Sequence, residues 1–503
     1  MPGYYVENFG CRATQADGAA LERQFEERGL ARASSPNLAS VVVLNTCTVT
    51  TGADQDARAA IRRVRRQNPE ARIVVTGCYA QRAPEELAAL PGVDLVVGNS
   101  HKHELAGIAL DGDPKDSHSG SFVPLNALQH VGQRPTTEDR RPIFVSDIFA
   151  HTELLAAPVF DAANERIRPN LKVQDGCDNR CSFCVIPYVR GQSRSLRPDR
   201  IIREVNTLVD AGYREVVISG INLGRWGRDL DRTLQRSDLG HYAGADKQGP
   251  TPRLVDLIRA ILSETSLEKL RISSVEPMDW SDELIALVAS SPRIAKHTHV
   301  PMQSGSDAVL RRMHRKYRPW HYREKIEKIH TAMPQAAIGA DVMVGFPGET
   351  DSEFETTRQM IEDLPFTYLH VFTFSPRPGT PAAEMADQIP VHVARERNRI
   401  LREMAAAKKL AFMRSFIGKT LEAITLNVIG NDADGEFTEA LTENYLKLRL
   451  RGRQVPNRWT RASIGDVVDG ALVAAAYKSD NHKGHEVTQR KTYSFVDLRA
   501  LCG

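Results

Sequence analysis

The sequence predicts an α/β protein with three parts: a small parallel sheet, a larger incomplete barrel of parallel strands, and a small C-terminal β-barrel. Three patterns lead to this prediction. Short apolar runs alternate with amphipathic segments over residues 1–100, about six strand–helix repeats follow Leu171, and short strands with glycine turns follow a long basic helix over 391–414. Strand–helix alternation is typical of parallel sheets, and repeated βα units are typical of barrels with active sites after the strands.

The composition indicates a globular chain of several domains. It has 503 residues, of which 41% are hydrophobic, and a net charge of only +3. This length is typical of about two to four domains. No run approaches the roughly 18 apolar residues of a transmembrane helix, and the N-terminus lacks the pattern of a secretory signal. We therefore expect a cytoplasmic protein with no membrane partner.

Three cysteines follow the strands of the predicted N-terminal sheet. Strands are predicted over 4–10, 40–47 and 72–78, and helices over 15–29 and 54–67. Cys11, Cys47 and Cys78 each lie at or just after the carboxyl end of a strand. Ligands bind at this edge of open α/β sheets, so we expect folding to bring the three thiols together. The alternative is that they are buried structural cysteines, which are common in cores.

The central part of the chain has six predicted strand–helix units. The strands are predicted over 171–174, 215–220, 269–274, 297–302, 337–345 and 367–374, and the helices over 199–211, 254–264, 281–289, 305–315, 320–332 and 350–363. A polar, glycine-rich stretch over 228–252 is interpreted as a surface insertion. The predicted organisation is an N-terminal domain over 1–104, a linker or insertion over 105–168, a barrel over 169–412, a β-barrel domain over 413–478 and a tail over 479–503.

The strongest chemical signal is a C-x3-C-x2-C motif, formed by Cys177, Cys181 and Cys184 on the loop after the first barrel strand. Three thiolates this close together hold three irons of a [4Fe–4S] cluster and leave the fourth iron open to a small molecule. A zinc knuckle is the alternative, but zinc needs a fourth ligand, and no further His or Cys follows nearby. The motif therefore favours an iron–sulfur cluster.

In this context the chain resembles the methylthiotransferases of the radical S-adenosylmethionine superfamily over almost its whole length. The resemblance rests on an ordered set of stretches: NFGCRATQ, LNTCTVT, VTGCYAQ, QDGCDNRCSFCVIPYVRG, RISSVEP, HVPMQSGSDAVLRRMHRKY, GADVMVGFPGET and FTFSPRPGTPA. A lone cysteine motif is moderately specific, whereas this ordered set is very specific. It implies an N-terminal domain with an auxiliary cluster, a partial TIM barrel with the radical SAM site, and a C-terminal TRAM domain.

The resemblance also implies two [4Fe–4S] clusters and S-adenosylmethionine as cofactors. The radical triplet, which cleaves S-adenosylmethionine to a radical, is Cys177, Cys181 and Cys184. The auxiliary triplet, whose cluster carries the inserted sulfur, is Cys11, Cys47 and Cys78. The motifs look most like the branch that acts on N6-threonylcarbamoyladenosine at tRNA position 37. The alternatives are isopentenyladenosine in tRNA, an aspartate of a ribosomal protein and, from another class, a non-catalytic RNA-binding iron–sulfur protein.

Six residues at the barrel strand ends are expected to contact the cofactor. They are Gly220 and Asn222 in SGINLG, Ser273 and Glu276 in RISSVEP, Gln303 in HVPMQSGSD, and Asp341 in GADVMVGFPGET. Glycine at the first of these positions permits close backbone approach. Ser304 is expected to face the same site, and Arg190 and Arg194 are candidate anion contacts. The alternative for each polar residue is that it shapes a loop.

The C-terminal barrel resembles an RNA-binding module. Its basic run over 447–461, together with Tyr445 and Trp459, suits phosphate contact and base stacking. The alternative is a solvated, charged strand face. The resemblance further implies a monomer that binds the anticodon stem–loop of tRNA, an electron donor such as flavodoxin, and a sulfur source.

Overall fold

A computed structural model describes the chain over residues 3–111, 142–151, 154, 167–230, 252–432 and 435–476. These residues form a parallel sheet, an incomplete barrel and a closed barrel in that order, and the α/β fold class is confirmed. Within them, no helix combines the length and apolar character needed to cross a bilayer. The predicted tail, most of the 228–252 insertion and most of the linker lie outside the described residues.

The N-terminal sheet consists of six strands that pair in parallel. They are β1 (Gly3–Asn8), β2 (Ala31–Arg32), β3 (Val41–Thr46), β4 (Arg72–Gly77), β5 (Leu95–Gly98) and β6 (Ile143–Phe144), in the order β2-β1-β3-β4-β5-β6. The helices are α1 (Arg12–Glu26), α2 (Thr51–Gln67), α3 (Cys78–Arg82), α4 (Pro84–Ala88) and α5 (Leu105–Asp111). The three predicted strands and two predicted helices are confirmed. The strands β2, β5 and β6 are too short to give a strand pattern in the sequence.

Helices cover both faces of this sheet. Val43 on β3 packs in one core with Phe25 of α1, and Val42 packs in the other core with Ile61 of α2. Successive strand side chains point to opposite faces, so an unbroken apolar strand fills two cores. Leu105 of α5 belongs to the first core. The segment predicted as a linker therefore begins with a helix packed on the sheet and later supplies the edge strand β6, while the domain boundary itself stays a prediction.

All six predicted strands and all six predicted helices of the central unit are present. The strands are β7 (Asn170–Asp175), β8 (Arg194–Ser195), β9 (Glu215–Gly220), β10 (Lys269–Ile272), β11 (His297–His299), β12 (Ala337–Val344) and β13 (Tyr368–Thr373). The helices are α6 (Ile186–Arg190), α7 (Pro198–Asp210), α8 (Leu254–Glu264), α9 (Asp282–Ser290), α10 (Asp307–Arg312), α11 (Pro319–Ala332), α12 (Asp351–Asp363), α13 (Pro381–Glu384) and α14 (Val391–Arg414). Two sheets, β10-β9-β7-β8 and β11-β12-β13, are joined by the bridge Ser274–His299. The result is an incomplete barrel whose parallel strands end at one mouth.

The C-terminal strands form a closed barrel. They are β14 (Thr420–Asp432), β15 (Gly435–Thr442), β16 (Lys447–Arg451), β17 (Trp459–Val468) and β18 (Ala471–Ala476), in the order β14-β15-β16-β18-β17. The basic run on β16 and β17 has acidic neighbours on other strands: Arg451 lies 2.6 Å from Asp432, and Arg461 lies 3.0 Å from Glu422. The run is therefore partly neutralised, although no acid separates its members in sequence.

A buried cluster of charges joins the N-terminal sheet to the central barrel. Asp17 on α1 is 2% exposed and accepts hydrogen bonds from Lys102, Lys172 and Arg190. Lys172 and Arg190 also pair with Asp175 at the end of β7. Burial tends to raise the pKa of Asp17, but the three cations dominate and lower it to about 2. The network that holds the two units together therefore depends on the charge of this carboxylate.

We expect Asp17→Asn to lower the free energy of unfolding by about 3–5 kcal/mol, because it leaves buried cations without a counter-charge. Since the pKa of Asp17 is depressed, its stabilising effect is present at neutral pH and disappears as the pH falls through about 4 towards 2. Urea unfolding at several pH values measures both effects. The matched control is Asp199→Asn, which breaks a surface pair with Arg203 and is expected to cost about 0–1 kcal/mol. Equal losses in the two variants would contradict the prediction.

Candidate active site

The auxiliary triplet lies at the edge of the N-terminal sheet where the sequence analysis placed it. Cys11 immediately precedes α1, Cys47 follows β3, and Cys78 begins α3. The parallel register of β1, β3 and β4 brings the ends of these strands side by side. Gly10 has a φ of 103°, and a Cβ atom there would lie 2.9 Å from the Cys47 Sγ. The turn before Cys11 therefore requires glycine for both its conformation and its space.

The chemistry of the auxiliary triplet fits cluster thiolates. Burial, together with the neighbouring thiols of Cys78 and Cys11, raises the pKa of Cys47 to about 12. Bound iron would displace the thiol protons and hold the three sulfurs as thiolates. Cys47 and Cys78 are buried, whereas Cys11 is exposed. A cluster held here would be enclosed on the sheet side and accessible on the side of Cys11.

The radical triplet lies on the loop between β7 and α6, and N–H donors contact two of its three sulfurs. The Asn179 backbone N–H lies 3.4 Å from the Cys177 Sγ, and the Asn222 Nδ2 lies 3.6 Å from the same atom. Arg315 donates from Nη1 to the Cys181 Sγ at 3.2 Å. N–H donors and a guanidinium directed at sulfur suit an anionic cluster ligand.

A zinc ion and a [4Fe–4S] cluster need different arrangements of thiolates. Across the described ranges, no group of three or more His, Cys, Asp or Glu side chains is arranged to hold one ion. Zinc needs four ligands around one ion, whereas a [4Fe–4S] cluster takes its thiolates at separate iron corners. The zinc alternative for the radical triplet therefore gains no support.

The two triplets share a structural wall. The helix α6 begins two residues after Cys184, and Val185 and Val189 pack directly against Cys78. Asn99 donates from Nδ2 to the Val189 carbonyl at 2.7 Å, and the same nitrogen lies 3.7 Å from the Cys78 Sγ. Sequence spacing did not indicate this contact, because it joins residues at least 90 positions apart in two separate units.

A cavity of about 490 Å³ lies at the carboxyl ends of the barrel strands. All three units line it: Cys11 belongs to the N-terminal unit, Asn222 to the barrel, and Tyr445 to the C-terminal unit. All six residues predicted to contact the cofactor also line it, namely Gly220, Asn222, Ser273, Glu276, Gln303 and Asp341. The cavity therefore reaches the auxiliary triplet through Cys11 and the radical triplet through Asn222.

Buried polar atoms without partners indicate that the barrel side of this cavity accommodates a polar ligand. Ser219 Oγ, Asn222 Oδ1 and Ser273 Oγ have no hydrogen-bond partner among the described residues, although each residue is at most 9% exposed. A buried polar group left unsatisfied costs about 1–3 kcal/mol. S-adenosylmethionine carries amino, carboxylate and ribose hydroxyl groups, so it has the donors and acceptors that these atoms lack. The lining therefore fits this cofactor.

Two predicted contacts have a different immediate partner. A Cβ atom at Gly220 would lie 2.8 Å from the Gln174 Oε1, so the close approach that requires glycine there is to Gln174. Ser304 is buried and lies 3.1 Å from the Thr357 hydroxyl, and it does not line the cavity. The expectation that Ser304 faces the site is wrong. The chain turns at Gln303, which has a left-handed φ of 63°, so Gln303 lines the cavity and Ser304 does not.

The predicted anion-binding arginines are also engaged elsewhere. Arg190 is 2% exposed and pairs with Asp17 and Asp175. Arg194 donates from Nη1 to the His151 carbonyl at 3.0 Å. Both guanidinium groups are therefore already hydrogen-bonded within the protein, and Arg190 belongs to the charge network between the units.

Several cavity residues were not singled out from the sequence. They are Arg12, His297, His299, Tyr368 and His370. Arg315, which contacts the Cys181 Sγ and does not line this cavity, was also not singled out. His297 and His299 on β11, and Tyr368 and His370 on β13, are two positions apart. Each pair therefore points to one face of its strand, and this spacing was available in the sequence.

Comparisons with known proteins agree with this geometry. Residues 3–98 match the uncharacterized protein family UPF0004, and residues 171–361 match the Radical SAM superfamily. The threonylcarbamoyladenosine tRNA methylthiotransferase MtaB of Bacillus subtilis is 35% identical over 93% of both chains. The protein of the same name from Aquifex aeolicus is 35% identical over 91% of this chain and 99% of its own.

A second group of relatives is nearly as similar. The tRNA-2-methylthio-N(6)-dimethylallyladenosine synthase of Acidothermus cellulolyticus is 32% identical over 94% of this chain and 86% of its own. Both groups bear names of methylthio-forming tRNA enzymes and cover nearly the whole sequence. The chain belongs to the methylthiotransferase family of the radical SAM superfamily.

Proposed function

We propose that this protein converts N6-threonylcarbamoyladenosine at tRNA position 37 to its 2-methylthio derivative. The observation that carries the proposal is the single cavity lined by Cys11 of the auxiliary triplet, by Asn222 beside Cys177, and by Tyr445 of the C-terminal barrel. Radical formation, sulfur delivery and RNA binding must take place next to one another if they act on one atom of the substrate. A single cavity provides that space. The relatives named for this substrate from Bacillus subtilis and Aquifex aeolicus are 35% identical to the chain.

The cofactors and the protein have separate tasks in this reaction. When bound, the two [4Fe–4S] clusters and S-adenosylmethionine supply the radical that removes hydrogen from C2 and the methylated sulfur that replaces it. The six cysteines hold the clusters, and Ser273 and Asn222 orient S-adenosylmethionine through their unpartnered oxygens. Glu276 pairs with Arg315, which also donates to the Cys181 Sγ, so one ion pair links the cofactor cavity to the radical triplet.

The remaining assignments follow from the same proposal. The N-terminal domain carries the auxiliary cluster, the barrel carries the radical cluster, and the TRAM domain binds the anticodon stem–loop. A reductant such as flavodoxin supplies the electron for the radical cluster, and a separate sulfur source renews the auxiliary cluster. We place this reaction in the cytoplasm, where its tRNA substrate is found.

Nucleoside mass spectrometry tests the proposed substrate. Reconstituted protein, reductant and S-adenosylmethionine are incubated with tRNA that carries either threonylcarbamoyladenosine or isopentenyladenosine. We expect a 2-methylthio product on the first RNA and a kcat/KM at least tenfold lower on the second, which corresponds to about 1.4 kcal/mol of discrimination. A product on isopentenyladenosine alone, or on a ribosomal protein, would overturn the proposal. If none of the reactions releases 5′-deoxyadenosine, the non-catalytic alternative is favoured.

A further inference from the structure

One part of the cavity is lined by polar aromatic rings instead of aliphatic side chains. This aromatic wall consists of His297, His299, Tyr368, His370 and Tyr445. The rings contact one another: the His297 and Tyr445 centroids are 4.7 Å apart, and those of Tyr368 and His370 are 5.4 Å apart. Flat polar rings suit an adenine base, whereas an apolar prenyl group is better accommodated by aliphatic side chains.

Arg12 extends into the cavity beside this wall. Its Nη2 lies 3.3 Å from the Tyr445 hydroxyl, and its backbone carbonyl accepts a hydrogen bond from Asn170 Nδ2 at 3.0 Å. The start of α1 is thereby held against the barrel, and the guanidinium contacts the Tyr445 hydroxyl. Over the described ranges, Arg12 forms no ion pair with a carboxylate. A guanidinium in this position can bind an anionic group of a ligand.

The surroundings of Tyr445 add further positive charge. Arg168 and Arg271 lie 5.9 and 5.4 Å from the centre of the Tyr445 ring, and they share the single carboxylate of Glu215. With Arg12, three guanidinium groups therefore surround this ring, and one buried carboxylate offsets them. The acid on the cavity lining nearest the wall, Asp341, lies 3.3 Å from the His299 Nε2 instead. The field at Arg12 favours a negatively charged ligand group.

We infer that Arg12 determines which modified adenosine the enzyme accepts, by binding the carboxylate of the threonylcarbamoyl group. This inference rests on the proposed function and identifies the residue that selects the substrate. The threonyl group ends in a carboxylate, and the dimethylallyl group of the other relatives' named product has no polar atom. A guanidinium binds a carboxylate through two parallel hydrogen bonds. Arg12 thus strengthens binding of the charged substrate, and the aromatic wall holds the adenine.

A pair of RNAs that differ in one charge tests this role. Anticodon stem–loops carry threonylcarbamoyladenosine either as the free acid or as its methyl ester, and Kd and kcat/KM are measured with the holoenzyme. We expect the wild-type protein to prefer the acid by about 10- to 100-fold, the range of a charged hydrogen-bonded pair. Arg12→Gln is expected to bind acid and ester equally, with an affinity for the ester close to that of wild type. Arg12→Lys is expected to retain part of the preference.

Arg458→Gln is the matched control, because Arg458 is an exposed arginine on the C-terminal barrel. A contact to phosphate would weaken binding of both RNAs equally, so this variant is expected to keep the full acid preference. The inference is overturned if Arg12→Gln keeps that preference, if it weakens both RNAs equally, or if the wild type shows none. Iron content is measured in each variant. If Arg12→Gln loses iron, Arg12→Lys is compared with Arg458→Gln instead, and an undiminished acid preference in Arg12→Lys then overturns the inference. Failure of the proposed function is distinguishable, since the wild type would then form no product on either RNA.

Discussion

Replacing Cys177, Cys181 and Cys184 together with alanine is expected to abolish release of 5′-deoxyadenosine from S-adenosylmethionine. The protein is also expected to lose about half of its iron, because the radical cluster has no other thiolate ligands. Iron analysis, electron paramagnetic resonance of the reduced protein and chromatography of the cleavage products measure these changes. Turnover is expected to stop completely, because the variant has no thiolates left to hold the cluster whose open iron binds S-adenosylmethionine.

The matched control for this triple variant is Cys502→Ala. Cys502 belongs to neither triplet, so the control is expected to keep both its iron and its cleavage activity. Circular dichroism of the triple variant separates cluster loss from unfolding. Persistent 5′-deoxyadenosine formation in a folded triple variant would show that another site binds the radical cluster.

Replacing Cys11, Cys47 and Cys78 with alanine is expected to separate the two halves of the reaction. This variant also loses about half of the iron, but S-adenosylmethionine cleavage continues while formation of the methylthio nucleoside stops. The reason is that the radical triplet and its donors, Asn222 and Arg315, lie on the barrel and not on the N-terminal sheet. Parallel assays of 5′-deoxyadenosine and of the modified nucleoside measure the separation.

The position of Cys78 limits how completely S-adenosylmethionine cleavage can be separated from formation of the methylthio nucleoside. Cys78 is 2% exposed and packs against Val185 and Val189, close to Cys184. Truncating it to alanine shifts the shared wall, so a decrease of a few-fold in cleavage is compatible with the prediction. Full iron content in the N-terminal triple variant would contradict the second cluster, and complete loss of cleavage would contradict the independence of the two sites.

Local patterns were sufficient to predict most of the fold. The six central strands, their helices and the long helix α14 follow from hydrophobic periodicity over 10 to 20 residues, which short-range geometry determines. The elements that were not predicted include the short strands β2, β5, β6 and β8, the short helices α3, α4, α6 and α13, and α5, which was placed in a linker. Leu105 shows the cause: whether a short helix belongs to a domain depends on the core against which it packs.

The candidate site could be predicted only in part. Cys177, Cys181 and Cys184 lie within eight residues of one another in sequence, so their common role is readable from spacing. Ser304 was placed wrongly because the left-handed conformation of Gln303 is a property of the folded turn. Arg190 was interpreted as an anion contact because its carboxylate partners, Asp17 and Asp175, come from different units.

The sequence by itself determined the chemistry of this protein, because thiolate ligands, glycine turns and strand periods act over a few residues. The tertiary structure alone decided which side chains share the reaction space. Arg12 and Tyr445 are 433 positions apart, and they lie within hydrogen-bonding distance because α1, the barrel mouth and the C-terminal barrel converge on one cavity. Such contacts depend on how units pack against one another, and packing between units leaves no periodic trace in the chain.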